Sequence, residues 1–407
     1  MARTVFRGGS IFDGSGSDPA TGDLVVEDGR VVDIGSGLDA DQAVDVAGCT
    51  ILPGLFDCHV HVGITYVDLW RLAQQPLSYR VLDAARNMAR TLDAGVTSVR
   101  DAGGADLGIR QARDEGLIRG PRIQLSLRMI SQTGGHGDSW LPSGIEEDVF
   151  SRMPGLPDTR VDSPDEMRKV VRRLIRQGAD VIKVATSGGV LSPRDDPRHA
   201  HLRPAELDVL VEEATAAGIF VMAHAQATEG IKNAIRAGIR SIEHGIFLDD
   251  EGIDLMLQRG TWFVPTLVAP QGVIEAADAG VEFGPGILDK ARSVIDTHRE
   301  AFRRAVAAGV RIAMGTDSGV SPHGRNLREL ELMRQGGMTP AAVLEATTRS
   351  AAQLLGVDDR LGTLEPGKAA DLTIVRGDPY ALDTLPERIV SVWQDGVRVD
   401  GLGDRAA

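Results

Sequence analysis

The 407-residue sequence predicts an α/β protein, a (β/α)8 TIM-like barrel carrying a small β-sandwich domain built from both chain ends. Three observations predict it. Both ends are written in short Val/Ile strands split by glycine turns; the middle alternates apolar runs with amphipathic helices; and the middle holds eight such runs.

The N-terminal stretches "TVFRGGSIFDG", "GDLVVEDGRVVDIGSG" and "AVDVAGCTILPG" alternate Val and Ile around Asp-Gly and Gly-Ser pairs, which is hairpin chemistry. The C-terminal stretches "LGTLEPGKAADLTIVRGDP" and "RIVSVWQDGVRVDG" read the same way. One composite domain of residues 1–53 and 363–407 is therefore expected, around a barrel of residues 54–362.

Inside the barrel segment the strand runs are 51–56, 97–100, 122–130, 181–184, 220–223, 241–242, 262–267 and 311–314. The helices between them are punctuated. "DSPDEMRKVVRRLIRQGAD" has Ser163 as N-cap, Pro164 in the first turn, Glu166 three residues after the cap and Gly178 as terminator. "MTPAAVLEATTRSAAQLLG" repeats the scheme with Thr339, Pro340 and Gly356. An open doubly wound sheet would carry a Gly-rich phosphate turn after its first strand, and "LFDCHVHVG" is not one. Long connections at 131–162, 190–203 and 269–288 follow the carboxyl ends of strands, where barrel enzymes keep their chemistry. They should form the pocket walls.

Composition narrows the function classes. With 42% hydrophobic and 25% charged residues, an ordinary core forms without staples. A net charge of −14 argues against nucleic acid and anionic membranes, which need clustered basic surface. Cys49 and Cys58 are too few for a disulfide framework and read as buried thiols. The start "MARTVFRGGS" lacks the apolar core of a signal peptide, and no run approaches the roughly 20 apolar residues of a membrane span. A soluble cytoplasmic protein acting on a small molecule is the expectation.

Polar residues then stand where strands end. His59 and His61 in "LFDCHVHVG" share one side of a strand, because successive side chains alternate. Lys183 sits inside the apolar strand of "DVIKVATSGG", and a buried lysine is costly unless deprotonated, paired or modified. "FVMAHAQATEG" ends strand five with His224, "RSIEHGIF" ends strand six with His244, and "VRIAMGTDSGV" ends strand eight with Asp317. Singly, a capped helix start would account for Asp317 and a satisfied core imidazole for either histidine. Together they gather at one end of a barrel.

The motifs "LPGLFDCHVHVG", "IKVATSGG", "AHAQ", "SIEHG" and "MGTDSG" resemble the amidohydrolase superfamily, and "LGTLEPGKAADLTIV" resembles the sheet domain beside its barrel. The resemblance spans essentially the whole chain. It points to the imidazolonepropionase-like and prolidase-like (Xaa-Pro dipeptidase-like) branch through "TSGG" and the closely spaced "AHA" and "IEHG". It implies two divalent metal ions, with Zn2+ the first choice and Mn2+, Fe2+ or Co2+ open. His59, His61 and Asp317 match ligands of the more buried ion; His224 and His244 match those of the second. Lys183 matches a lysine that takes up CO2 and bridges both ions as a carbamate (N6-carboxylysine). The implied reaction is hydrolysis of a C–N amide bond in a dipeptide-like or N-acyl amino acid substrate by metal-activated hydroxide, with Asp317 as general base and then acid. A homo-oligomer is implied as well.

Asp317, His136 and His244 are the catalytic candidates. His136, in "SQTGGHGDSW", is a candidate donor to a substrate carbonyl or carboxylate; Gln226, Arg128, His323 (in "SPHGRN") and Trp140 are further substrate-binding candidates. Asp101, Asp57 and Cys58 read as supporting residues. Prolidase-like relatives resemble "HAY" after strand five, and this chain has Gln226 in place of the tyrosine, so a preference for Xaa-Pro dipeptides does not carry over. Cyclic amides of the imidazolone type, ureas and carbamates remain alternatives. A barrel that binds ligand without turnover would require one of the six ligands to be missing, and none is.

Overall fold

The structure, a computed structural model, describes residues 2–65, 67–138, 140, 155–192, 194–284 and 286–401. Residues 139 and 141–154 of the first expected wall loop, residues 193 and 285 of the other two, and the terminal residues 402–407 lie outside the described residues.

The chain starts with antiparallel hairpins. β1 (Thr4–Ile11) pairs with β2 (Ala20–Glu27), and β2 with β3 (Arg30–Gly35). β1 is bulged between Phe6 and Gly9, so its first half lies parallel to β4 (Gln42–Asp45) and its end parallel to β5 (Cys49–Pro53). Gly9 allows this crowding: a Cβ there would lie 2.8 Å from the carbonyl oxygens of Val46 and Cys49.

β5 does not run on into the barrel as the expected 51–56 strand. It ends at Pro53, and β6 (Leu55–Val60) starts a separate sheet. Gly54 is the joint, because any side chain there would overlap Thr97 of the neighbouring strand. This shift moves His59 into the strand proper.

β6 pairs in parallel with β7 (Val96–Asp101), and β7 with β8 (Arg122–Leu125). The expected 122–130 strand breaks at Leu127, which has a left-handed φ of 64°, and resumes as β9 (Met129–Ile130). From β9 the parallel ladder continues through β10 (Val181–Ala185), β11 (Phe220–Ala225), β12 (Ser241–His244) and β13 (Trp262–Val264). The eighth stave is irregular, with bridges at Phe263–Ile312 and Val60–Ser318. Hydrogen bonds from the amides of Ala313 to the Phe263 carbonyl (3.0 Å) and of Asp317 to the His59 carbonyl (2.7 Å) close the ring onto β6.

After the barrel, β14 (Leu372–Arg376), β15 (Ile389–Gln394) and β16 (Val397–Arg398) return to the first sheet, in the order β16-β15-β14-β5-β1-β2-β3 with β4 beside β1. Phe6, Leu24, Val26, Val31, Ile51, Leu372 and Ile374 form its core, with Phe6 edge-on to Trp393 at 4.9 Å. Both chain ends are thus held by one sheet.

The helix Pro164–Arg176 is capped by Ser163, whose hydroxyl accepts from the Glu166 amide, and it buries Met167, Val170, Val171 and Leu174. The expected helix after Thr339 is two helices, Pro340–Ala346 and Arg349–Leu355. The break lies at Thr347, whose hydroxyl donates to the Phe56 carbonyl at 2.7 Å and whose amide lies beside the helix end. Cys49 and Cys58 are free and buried. Among the described residues no helix is long and apolar enough to cross a membrane.

Candidate active site

A cavity of about 150 Å³ opens at the carboxyl end of the barrel, and His59, His61, Lys183, His224, His244 and Asp317 all line it. Lys183 Nζ lies 3.2 Å from His59 Nε2. Asp317 Oδ1 lies 3.6 Å from His59 Nε2 and 3.2 Å from His61 Nε2. The ring of His244 is 5.0 Å from that of His59 and 4.6 Å from that of His224. One ligand atom each from His59, His244 and Asp317 falls within a 4.8 Å span, a spacing that suits a metal ion.

Local backbone aims these groups. His244 and Asp317 have φ values of 70° and 60°, a left-handed turn at the strand end that costs a non-glycine residue about 1–3 kcal/mol. Such strain persists because surrounding bonds hold it. Asp57, fully buried, accepts from the amides of His59 (3.1 Å) and Thr316 (3.0 Å), from the Thr316 hydroxyl (2.6 Å) and from Asn326 (2.8 Å), tying β6 to the turn of Asp317. Burial raises its carboxyl to about 6 against the pull of these donors. Asp101 accepts from the amides of Val62, Gly103 and Ala105, shaping the loop behind His61.

The second nitrogen of each imidazole is spoken for. His59 Nδ1 donates to Glu243 Oε2 at 2.8 Å, and Glu243 Oε1 in turn accepts from Arg100 at 2.9 Å and Ser241 at 2.5 Å, all deep in the barrel. His61 Nδ1 donates to the Gly103 carbonyl (2.7 Å), His224 Nε2 to the Gly188 carbonyl (3.1 Å), and His244 Nδ1 faces the Thr266 hydroxyl (2.7 Å). This pattern is how proteins orient ligand histidines.

Electrostatics favour coordination over protonation. Burial, reinforced by neighbouring positive groups, pushes His59, His224 and His244 well below the ordinary imidazole value. Burial lowers Lys183 to about 8, although Glu243 and Asp317 pull the other way. Burial would raise Asp317, but His61, His59 and Lys183 overcome it and hold the carboxyl well below its usual range. His61 is the exception: burial would lower it, but its contact with Asp317, helped by Asp101, overcomes this and raises it. Three imidazoles held neutral, a fourth paired with an ionised carboxylate, and an amine near its neutral form are a donor set that fits divalent metals.

The expected substrate contacts divide. His136 lines the cavity and stacks on His224 at 4.0 Å with an interplanar angle of 17°. Arg128 lines it while donating to the Pro157 carbonyl at 2.5 Å. Gln226 lines it at 5% exposure, with Oε1 buried and without a hydrogen-bond partner. His323 does not reach the cavity. Its Nε2 lies 3.1 Å from the carbonyls of both His61 and Ile64 and its Nδ1 faces Thr91, so it braces the loop after β6. Trp140 is not among the described lining residues either; it is 45% exposed beneath the Arg194 guanidinium, which also donates to its carbonyl. Cys58 packs into the apolar cluster of Phe56, Val264 and Ala313, facing away from the histidines.

Glu243, Arg100 and His298 are parts of the site that sequence reasoning missed. Glu243 precedes His244 in "SIEHG", so strand alternation could have turned it toward the barrel interior. His298 lies within the helix Ile287–Ala308, and no local pattern marks it. It lines the cavity with Nε2 unpartnered, and burial lowers it to about 4.

The sequence matches the family model for the amidohydrolase family across residues 50–402. Ochratoxinase of Aspergillus niger is 34% identical, over 98% of this chain and 87% of its own length. The structure is similar to that of a Xaa-Pro dipeptidase with bound methionine (TM-score 0.89, 34% identity, 98% of this chain and 100% of that one). It is also similar to a prolidase complexed with N-methylphosphonate-L-proline (TM-score 0.88, 32% identity, 98% and 99%). A match over residues 50–402, together with relatives a third identical over nearly the full length, makes this chain a member of the amidohydrolase family.

Proposed function

We propose that the protein hydrolyses a C–N amide bond in a small dipeptide-like or N-acyl amino acid substrate. The observation that carries this reading is Lys183 buried 3.2 Å from His59 and 3.2 Å being also the distance from His61 to Asp317, within one cavity at the carboxyl end of the barrel. His59, His61 and Asp317 would hold one divalent ion and His224 and His244 a second, with Lys183 carboxylated between them. Bound there, such ions, Zn2+ first among them, supply Lewis acidity and lower the pKa of water.

The chain's own groups do the rest. A lysine brought to about 8 carries enough neutral amine to add CO2, releasing a proton and becoming an anionic oxygen donor. Asp317, ionised between two imidazoles, accepts the proton of the attacking water and delivers it to the departing nitrogen. That delivery matters because an amide nitrogen leaves poorly as an anion. His136, with its Nδ1 engaged by Ser192, offers Nε2 to the substrate as a hydrogen-bond acceptor rather than as the donor expected from the sequence. Walls of Ile64, Val67, Val190, Leu191, Ile246 and Val273 accept an apolar substituent. The peptide-cleaving names of the structural neighbours support the peptide-like choice, and Gln226 keeps proline specificity out of the proposal.

A panel of dipeptides, N-acyl amino acids and arylamides, run beside cyclic amides, aryl ureas and carbamates on the metal-loaded protein, tests the reading. Amine release from the open-chain amides is expected. Turnover confined to rings, ureas or carbamates would replace it.

Glu243 offers a test of the metal assignment. Glu243→Gln removes the carboxylate that fixes His59 and pairs with Arg100. Metal affinity, measured by chelator competition, is expected to fall about 10–100-fold. An unchanged affinity would remove His59 Nε2 from the ligand set.

A further inference from the structure

The His136 ring is held on three sides. One face stacks on His224 at 4.0 Å. The ring also lies against Gly189, where a Cβ would collide with it, so only glycine permits the approach. Along its edge, Nδ1 is 2.8 Å from the Ser192 hydroxyl oxygen and 3.6 Å from Asp195 Oδ2. The Ser192 hydroxyl donates its proton to Asp195 Oδ1, so its oxygen is an acceptor toward the ring. This sets Nδ1 as the N–H of His136 and leaves Nε2 as an acceptor for an N–H or O–H of a substrate in the cavity.

Asp195 is itself locked. Its side chain is 3% exposed, and Oδ2 accepts from the Gly189 amide at 3.1 Å. Lys290, in the first turn of the helix Ile287–Ala308, donates to the carbonyls of Gly189 (3.3 Å), Ser192 (2.8 Å) and Asp195 (2.5 Å) and lies 3.6 Å from Asp195 Oδ1. The Ser192 hydroxyl also lies 3.3 Å from the Gly189 carbonyl, but the Lys290 contacts and the Gly189 amide tie the loop without it, whereas only its oxygen joins the carboxylate to the ring's Nδ1 at hydrogen-bond distance.

We infer that Asp195, acting through Ser192, is the positioning residue for His136. The inference rests on the reading of His136 as a substrate contact. None of Asp195, Ser192 and Lys290 belongs to the proposed metal ligands, so metal content is expected to stay constant through the test.

The experiment is a mutant cycle on the metal-loaded enzyme with the best substrate of the panel. Ser192→Ala and Asp195→Asn are each expected to lower kcat/KM by about 10–100-fold, the scale of a misplaced substrate contact. Ser192→Ala keeps the Asp195–Lys290 staple and covers the case in which Asp195→Asn does not fold. Ser192→Thr, which keeps the hydroxyl, is expected to retain most of the activity. In a His136→Gln background, Ser192→Ala and Asp195→Asn are expected to have no further effect. Equal losses in both backgrounds would show a merely structural role and overturn the inference alone. Full activity of His136→Gln would overturn the reading of His136, and the inference with it.

Discussion

Asp317→Asn is expected to keep the metal and lose turnover, with kcat falling on the order of 10²–10⁴-fold, the contribution of a positioned proton carrier. The asparagine has the same shape and still offers an oxygen toward His61, which lies 3.2 Å from the carboxylate. What it cannot do is take up a proton and hand it to a leaving nitrogen. The environment sharpens the contrast, because His61, His59 and Lys183 keep the native group ionised despite its burial. Elemental analysis and steady-state kinetics on the same preparation check both halves. An active variant would sink the role of Asp317, and a metal-free one would make it chiefly a ligand.

The second large effect is expected at Lys183. Lys183→Ala should lower metal occupancy and reduce activity by on the order of 10²-fold or more, as for loss of a group that holds or tunes a metal site. Acetate, formate or propionate should restore part of both, because a short carboxylate can occupy the space of a lysine carbamate. The side chain is 2% exposed and lies on β10 beside β11, the strand of His224, with its Nζ 3.2 Å from His59 Nε2 in the same cavity. Unchanged occupancy, or no response to added acids, would count against the bridge.

Much of this molecule is legible in its sequence, for definable reasons. The helix after Ser163 is readable because a cap, a proline and a glycine terminator are local devices, and the structure shows the cap bond. The sharing of one sheet by both ends is readable because alternating strands with Gly turns need partners, and each end lacks enough of its own. The joint at Gly54 is not readable. Two consecutive apolar strands look like one until a neighbouring Thr97 excludes a side chain between them. The eighth stave lies at the apolar run 311–314 but is irregular, held by bridges to β13 and β6 rather than by a long ladder.

His323 and Trp140 show the limit for side chains. Both lie on loops at the cavity end of the barrel, yet His323 turns its ring to carbonyls after β6 and Trp140 lies in solvent under Arg194. A loop has no alternation rule to aim a residue. Strands do have one, which is why His59, Lys183 and His224 could be named from spacing and residue type; His244, next to the inward Glu243, reaches the same cavity through its left-handed φ of 70°.

By itself the sequence determined the barrel class, the pairing of the chain ends and the polar residues at the strand ends, because periodicity, turn chemistry and the scarcity of buried lysine are local signals. Only the tertiary structure decided what holds those residues. His59 meets Glu243 across 184 residues, His136 meets Ser192 across 56, and Asn326 reaches Asp57 across 269. The first pair is chosen by how parallel strands register around a closed ring and the other two by how loops pack over its end, and both are properties of the assembled barrel rather than of any stretch of chain.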